Sequence, residues 1–460
     1  MNEGSARYLG SGAIMKNSLK TSVAVFALMG AVSVTANQAE AAGFAIREQS
    51  AMGLGAAFAG AAAGYDNDLS SMFFNPASVT MHEGIKGQVD ASLILSTSKA
   101  KGATATNALG NNILDSSSGL ASSNSGNIGV AAVVPSTYAS YSLSERTYFG
   151  LSISAPFGLS TKADANWVGR YHGIESTIQN LAVNPVLGFK ISPMLSVAAG
   201  PTMSYFKALL TSAVDLQTIG GGGAVPVSGA LDGFNKTKAD DIGFGFTAGL
   251  LFTPTQSTRI GVGFRSAVKY KLKGTSFTTG AGGVGTTAAL TGNVTGKITT
   301  PETVSVGFRQ QVNSRLALLG TVEWANWSRF KELRIQGLAA GDSVTNEKWK
   351  DSWYFSGGAE YKWNERTTVR AGAGYEISSV PDAFRTPRLP DNDRVWLSLG
   401  SSYKVKDWLD VSLGLTHVFI KKAPINLTVA ADPANASRGN LTAMFKTGLN
   451  IASVSAKVKF

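Results

Sequence analysis

Cysteine is absent from the 460 residues, which excludes a disulfide scaffold and any cysteine-ligated metal. Charge is scarce: Asp, Glu, Lys and Arg make up 15%, against roughly 25% in an ordinary soluble domain. Histidine occurs three times, at His82, His172 and His417, far apart and without metal-ligand spacing. No Gly-x-x-x-x-Gly-Lys-Ser/Thr phosphate loop is present, and Gly220 to Gly223 read as part of a loop. Enzymatic, metal and cofactor chemistry therefore has no carrier in the pattern. Only one apolar run approaches membrane length, whereas a polytopic helical membrane protein needs several runs of about 20 residues. The formal charge of +11 raises nucleic-acid binding, but the cations are spread over the chain rather than gathered in a patch, so no nucleic-acid partner is expected. What is present is glycine, at 52 residues, in a chain that is 44% apolar and so too apolar for a disordered one.

The apolar run is a targeting segment. Lys16 and Lys20 precede Val23 to Val34, and Ala39-Glu40-Ala41 follows. Basic end, short apolar core and Ala-x-Ala site are the order of a secretory signal; a membrane anchor needs ~17–25 residues. Residues 1–41 are expected to be removed, with Met15 as the candidate true start. The loss of three basic and two acidic residues leaves 38 against 28, a formal +10.

Beyond that point the chain alternates. Ala452, Val454, Ala456, Val458 and Phe460 are interleaved with Ser453, Ser455, Lys457 and Lys459. Val369, Ala371, Ala373, Tyr375 and Ile377, and again Leu409, Val411, Leu413 and Leu415, repeat the pattern. A strand presents successive side chains to opposite faces, so each segment has one apolar and one polar face. The alternation fails at Asn450 and Ile451, where a bulge is one explanation. A soluble sandwich and a membrane barrel share this pattern. Export, polar faces rich in Gly and Ser, and a last alternating segment ending on Phe460 favour the barrel. So do aromatics at strand ends (Trp324, Trp327, Trp349, Trp353, Trp396 and Trp408), read as interfacial girdles.

About fourteen antiparallel strands are expected, near 84–98, 128–143, 146–159, 173–191, 194–214, 240–253, 258–273, 294–311, 315–335, 349–363, 366–379, 393–405, 408–422 and 441–460. Short turns alternate with long loops (99–127, 215–239, 274–293, 380–392 and 423–440), the asymmetry of an outer-membrane barrel. Residues 42–82 do not alternate and are rich in Ala and Gly. A barrel this wide is not filled by its own side chains, so 42–82 are expected to plug the lumen, with the barrel over 83–460. Parity points Lys350, Arg265, Lys269, Arg309, Arg370 and Arg394 inward with Glu323, Glu360 and Glu376, since Arg or Lys facing lipid costs about 2–4 kcal/mol at mid-membrane. These charges are expected to pair with one another or with Glu48, Asp66 and Asp68.

Ala42-Gly43-Phe44, Ser50-Ala51-Met52-Gly53-Leu54-Gly55 and Asn75-Pro76-Ala77 resemble the N-terminal hatch of the FadL/TodX family of outer-membrane transporters. Ala155-Pro156-Phe157-Gly158-Leu159-Ser160, Thr300-Pro301-Glu302, Trp324 to Ser328, Trp349-Lys350-Asp351 and Leu389 to Ser398 continue the resemblance in order. It implies a fourteen-stranded barrel plugged by a hatch, carrying long-chain fatty acids or apolar compounds such as aromatic hydrocarbons. The alternatives are uptake of aromatic or alkane hydrocarbons, or an open porin. It also implies lateral release through a break in the third strand, where Pro156 and Gly158 stand; proline donates no ladder bond and glycine weakens a strand. Lys350 aligns with a carboxylate-contacting lysine of the fatty-acid members, and Arg394 is expected in a hatch or wall pair. The expected partners are hydrophobic ligands, outer-membrane lipid and lipopolysaccharide, and the barrel assembly machinery of a bacterial outer membrane. One departure stands out: loops 215–239 and 274–293, where relatives build an outer apolar groove, are Gly- and Thr-rich, with only Leu216, Ile219, Val225, Val227, Leu231 and Phe234 in the first.

Overall fold

The computed structural model describes residues 43–216, 232–279, 289–338 and 341–460. The signal segment with its site at Ala41, Ala42, and the loop residues Ile219, Gly220 to Gly223, Val225, Val227 and Leu231 lie outside the described residues. Fourteen strands form one closed antiparallel ring. They are β1 Ile85–Thr106, β2 Ala132–Ser142, β3 Thr147–Ser154 with Gly158–Lys162, β4 Glu175–Lys190, β5 Leu195–Val214, β6 Gly233–Thr255 and β7 Thr258–Arg265 with Lys269–Thr279. Then follow β8 Ala289–Thr299 with Thr303–Gln311, β9 Leu316–Ala325 with Glu332–Gln336 and β10 Ser343–Asn346 with Ser352–Lys362. The last are β11 Thr367–Ile377, β12 Arg394–Lys406, β13 Leu409–Ile420 with Ala423–Leu427 and β14 Asn440–Lys459. Pairing of β1 with β14, from Lys86↔Lys459 to Thr106↔Asn440, closes the ring.

The ring is inside-out. Along β12, Arg394, Trp396 and Ser398 are buried while Val395, Leu397 and Leu399 are exposed. Leu399 is 65% and Phe244 72% exposed, values a sandwich core would not allow and a lipid-facing wall requires. The departure at Ile451 is not a bulge, because pairing with β1 is continuous from Asn450 to Lys459. Leu449 and Ile451 point inward, as Ser453 and Ser455 do, and pack on an apolar cluster within the ring.

Several strands reach further than alternation marks. β1 continues to Thr106, β6 starts at Gly233, β7 ends at Thr279 and β8 starts at Ala289, all inside the expected loops. Past the interruption of β7 the outward residues are Lys269, Lys271 and Lys273, whose charges belong above the hydrocarbon layer. Lys269 is thus exposed, not inward. The interruption at 266–268 shifts the phase, so that Arg265 and Tyr270 share the inner face. Trp327, Trp349 and Trp396 are buried inside the ring rather than in a girdle. Trp327 and Trp349 lie in breaks of β9 and β10, and Trp396 has the inward parity of Arg394. Trp353 is exposed on the outer face, and Trp408 is exposed in the turn between β12 and β13.

The segment 43–82 lies within the ring. It consists of one helical turn, α1 (Ala51–Gly55), and three 3-10 turns, Ala61–Ala63, Leu69–Phe73 and Pro76–Met81. Ser50 caps α1 by accepting from Gly53 N. Asn75 Oδ1 accepts from Ala77 N, while Asn75 Nδ2 donates to Ala62 O (2.7 Å) and to Leu250 O of β6 (2.9 Å). Pro76 stands where a first-turn N–H is not needed. The wall makes room for this backbone with glycine: a Cβ on Gly261 would lie 1.8 Å from Ala62 O, and on Gly263 1.8 Å from Phe74 O.

Candidate functional site

A layer of ion pairs ties the N-terminal segment to the wall. Arg47 bonds Glu323 of β9 (3.1 Å) and Glu376 of β11 (2.6 Å), its guanidinium 3.9 Å from the Tyr354 ring centroid. Arg394 pairs with Asp391 (2.7 Å) and approaches Glu376 (4.0 Å). Glu360 joins Arg309 (2.9 Å) and Arg370 (2.7 Å). Arg309 also reaches Asp66, which Arg259 holds at 2.8 Å. Burial pushes the Asp66 carboxyl up, but the two arginines outweigh it and hold the group below its ordinary value. Arg309, Glu360 and Arg370 stand in one set of ion pairs and Glu323, Glu376 and Arg394 in another, all on the inner face that parity assigns them. Arg259 shares the parity of Arg265 on the same strand, a signal the sequence reading did not take up; the only signal for Arg47 was a charge in a charge-poor segment.

Three residues stand apart. Arg265 donates through Nη2 to Phe73 O (2.9 Å) and lies over the Phe73 ring, while its buried Nη1 has no partner. Asp68 accepts from Gln88 and Ser70 rather than from a cation. Glu48 is buried with neither carboxylate oxygen bonded, and burial pushes it up to about 7.

The third strand is interrupted at Ala155, Pro156 and Phe157. The β2–β3 ladder runs from Ser142↔Tyr148 only to Thr137↔Ile153; the next contact between these stretches is the single bridge Gly129↔Thr161. Residues 154–161 are all buried, so the strand has turned into the lumen. There it pairs with the N-terminal segment: Ile46 N donates to Pro156 O (2.8 Å) and Gly158 N to Phe44 O (2.8 Å). Behind the interruption lies a cavity of about 50 Å³ whose lining includes Pro156, Phe157, Phe73, Phe264, Arg265 and Glu323.

Above this level the lumen is apolar. Phe44 stands at the centre, its ring 4.6 Å from Trp327, 5.7 Å from Trp349 and 5.9 Å from Phe157. Leu159, Ile178, Phe206, Phe330 and Leu389 belong to the same buried cluster. Gly43 permits this placement, with φ of +62° and no room for a Cβ, which would lie 2.6 Å from Trp349.

Two half-buried arginines lie near Glu347, which bonds Trp349 of this cluster. Arg388, next to Leu389, packs on Gly173 and donates only to Glu175 O, Ser176 Oγ and Thr211 O. Arg438 donates to Thr345 Oγ1, Val344 O and Ala434 O, and its Nε has no partner. Among the described residues neither has a carboxylate partner. Glu347, whose field reaches both, accepts from Trp349 Nε1 (2.8 Å); burial pushes it up to about 8 against that bond and the two arginines. Lys350 is different. Residues 347–351 interrupt β10, Lys348 takes φ of +43°, and Lys350 is exposed instead of pointing into the lumen. Between the outer parts of β5 to β9 lies an apolar crevice of about 40 Å³ lined by residues such as Leu210, Leu272, Val294 and Leu333; it is built from strand residues rather than from the loops expected to form a groove.

A closed fourteen-stranded barrel with a lipid-facing apolar wall, an occupied lumen and an apolar inner chamber defines an outer-membrane transport barrel. The chain belongs to the outer membrane protein transport protein family (OMPP1/FadL/TodX), whose model matches residues 32–460. That family comprises outer-membrane transporters, not enzymes. The chain is similar to the long-chain fatty acid transport protein of Salmonella typhi, 26% identical over 432 residues, covering 89% of this chain and 94% of that protein. In structure it is similar to a Pseudomonas aeruginosa FadL homologue, with TM-score 0.82 and 25% identity over 91% of this chain and 100% of that one. The Ralstonia pickettii toluene transporter TbuX shares the fold, with TM-score 0.64 and 20% identity over 90% and 99% of the two chains.

Proposed function

We propose that this transporter carries long-chain fatty acids across the outer membrane. In this reading residues 43–82 act as the hatch, the tail occupies the chamber around Phe44, and the carboxylate is held by Arg388 and Arg438. Release is lateral, between β2 and β3 at Pro156 and Gly158. The observation that carries the reading is a pair of half-buried arginines that, among the described residues, donate only to neutral acceptors, close to an apolar cluster. Guanidinium groups bonded only to neutral acceptors favour an anion, and each methylene of a tail gains about 0.8 kcal/mol on leaving water. The fatty-acid transport activity named for the Salmonella typhi relative supports the same cargo. The exposed Lys350 does not enter this site.

A second reading, uptake of aromatic hydrocarbons, is favoured by the aromatic lining of Phe44, Trp327, Phe330 and Trp349 and by the toluene transporter that shares the fold. Binding of labelled oleate to the purified chain, competed by unlabelled oleate or by toluene, separates the two. The fatty-acid reading expects displacement by oleate alone, and Arg388→Leu is expected to weaken oleate binding about tenfold or more, the size of a charge-assisted bond. Lys350→Ala is expected to leave it unchanged. Equal loss of oleate and toluene binding in Arg388→Leu would remove the carboxylate role. An open porin finds no support in a lumen occupied by 43–82. Lipopolysaccharide around the wall and the barrel assembly machinery are the further partners proposed.

A further inference from the structure

We infer that Gln49 is the positioning residue that closes the interruption between β2 and β3, and that its withdrawal is the step that admits cargo to the wall. The inference rests on the lateral-release reading above. Gln49 is fully buried and bonds both lips of the gap. On the β3 side, Gln49 Nε2 donates to Ala155 O (2.7 Å), and Ala155 N donates to Gln49 Oε1 (3.2 Å). On the β2 side, its carbonyl accepts from Ser136 Oγ (2.9 Å) and from Tyr138 Oη (2.9 Å).

A side-chain carboxamide presents the same donor and acceptor as a peptide group. Gln49 therefore supplies to Ala155 the partners that a neighbouring strand would supply, at a position neither flanking ladder reaches. At a membrane wall such groups cannot be left unbonded without cost, so the gap is sealed only while Gln49 is in place. Gln49 is also five residues from Phe44, on the segment that pairs with Pro156 and Gly158.

The test uses the full chain in lipid nanodiscs, with amide hydrogen exchange over residues 154–158 and the rate of oleate transfer to acceptor vesicles as readouts. Gln49→Met keeps the length and removes both bonds to Ala155. Ser136→Ala with Tyr138→Phe removes the opposite side. Each is expected to raise exchange roughly tenfold, from net hydrogen-bond strengths of the usual size, and to speed transfer. The combined variant is expected to exceed neither by much, because both act on one closure. Exchange within twofold of the wild type in Gln49→Met overturns the inference. Pro156→Val with Gly158→Thr separates it from the underlying reading. If that variant transfers oleate normally, lateral release itself fails. If it blocks transfer while Gln49→Met raises exchange without changing the rate, the gating role of Gln49 fails alone.

Discussion

Glu48 and Glu347 show how burial sets charge in this molecule. Glu48 has no bonding partner for its carboxylate, and burial pushes it up to about 7. Its native-state affinity for the proton exceeds that of the unfolded chain, so stability is retained at acid pH and lost as pH rises from the ordinary carboxylate range through 7. Glu48→Gln is expected to stabilise the protein at pH 8, by up to about 3 kcal/mol, and to do little at pH 4. Denaturant midpoints in micelles at the two values check this. Glu347, pushed up to about 8, predicts a matching effect on binding. Ionised above that value, it competes with the cargo for Arg388 and Arg438, so oleate affinity should fall between pH 7 and 9 in the wild type. In Glu347→Gln the affinity should stay flat over that range. Neither environment was visible in the sequence, because partnering across the ring is a property of the closed barrel. Arg309, Glu323, Arg370, Glu376 and Arg394 were legible because each sits within an unbroken stretch of alternation. Lys350 and Lys269 were not, because each lies beside an interruption that resets which face a residue occupies.

At the scale of elements, the strands were readable and their interruptions were not. Period two marks a pleat, but it carries no sign of a turn into the lumen such as Ala155 to Phe157 make. Pro156 and Gly158 were the one cue. If that interruption is the exit, Pro156→Val with Gly158→Thr is expected to cut oleate transfer severalfold while the barrel still assembles, judged by its heat-modifiable migration on gels. The departure at Ile451 teaches the converse. Its inward side is apolar because an apolar segment lies against it, so the inner face of this wall follows its contents. The same logic accounts for the glycines opposite the N-terminal segment. Gly263→Val is expected to push Phe74 and its neighbours from the wall, leaving the barrel folded and leaky to ions in planar bilayers.

For the whole molecule, the arrangement separates two kinds of permeation. Water and ions meet a lumen filled by 43–82 and fastened by ion pairs from Arg47, Arg259 and Arg309. An apolar chain meets a packed aromatic cluster that includes Phe157 of the interrupted strand. Alternation, export and the closing Phe460 pointed to the barrel, and its expected width of fourteen strands pointed to the need to fill it. They did not foretell that Phe44 occupies the chamber or that the outward ends of β6 to β8 rise as paired strands, for these depend on contacts far apart in sequence. The most direct test is the steady-state conductance of the wild-type chain in planar lipid bilayers. A barrel whose lumen is occupied predicts little steady ion flow after insertion. Large, sustained ohmic steps from the intact chain, as an empty fourteen-stranded pore would give, would contradict the account.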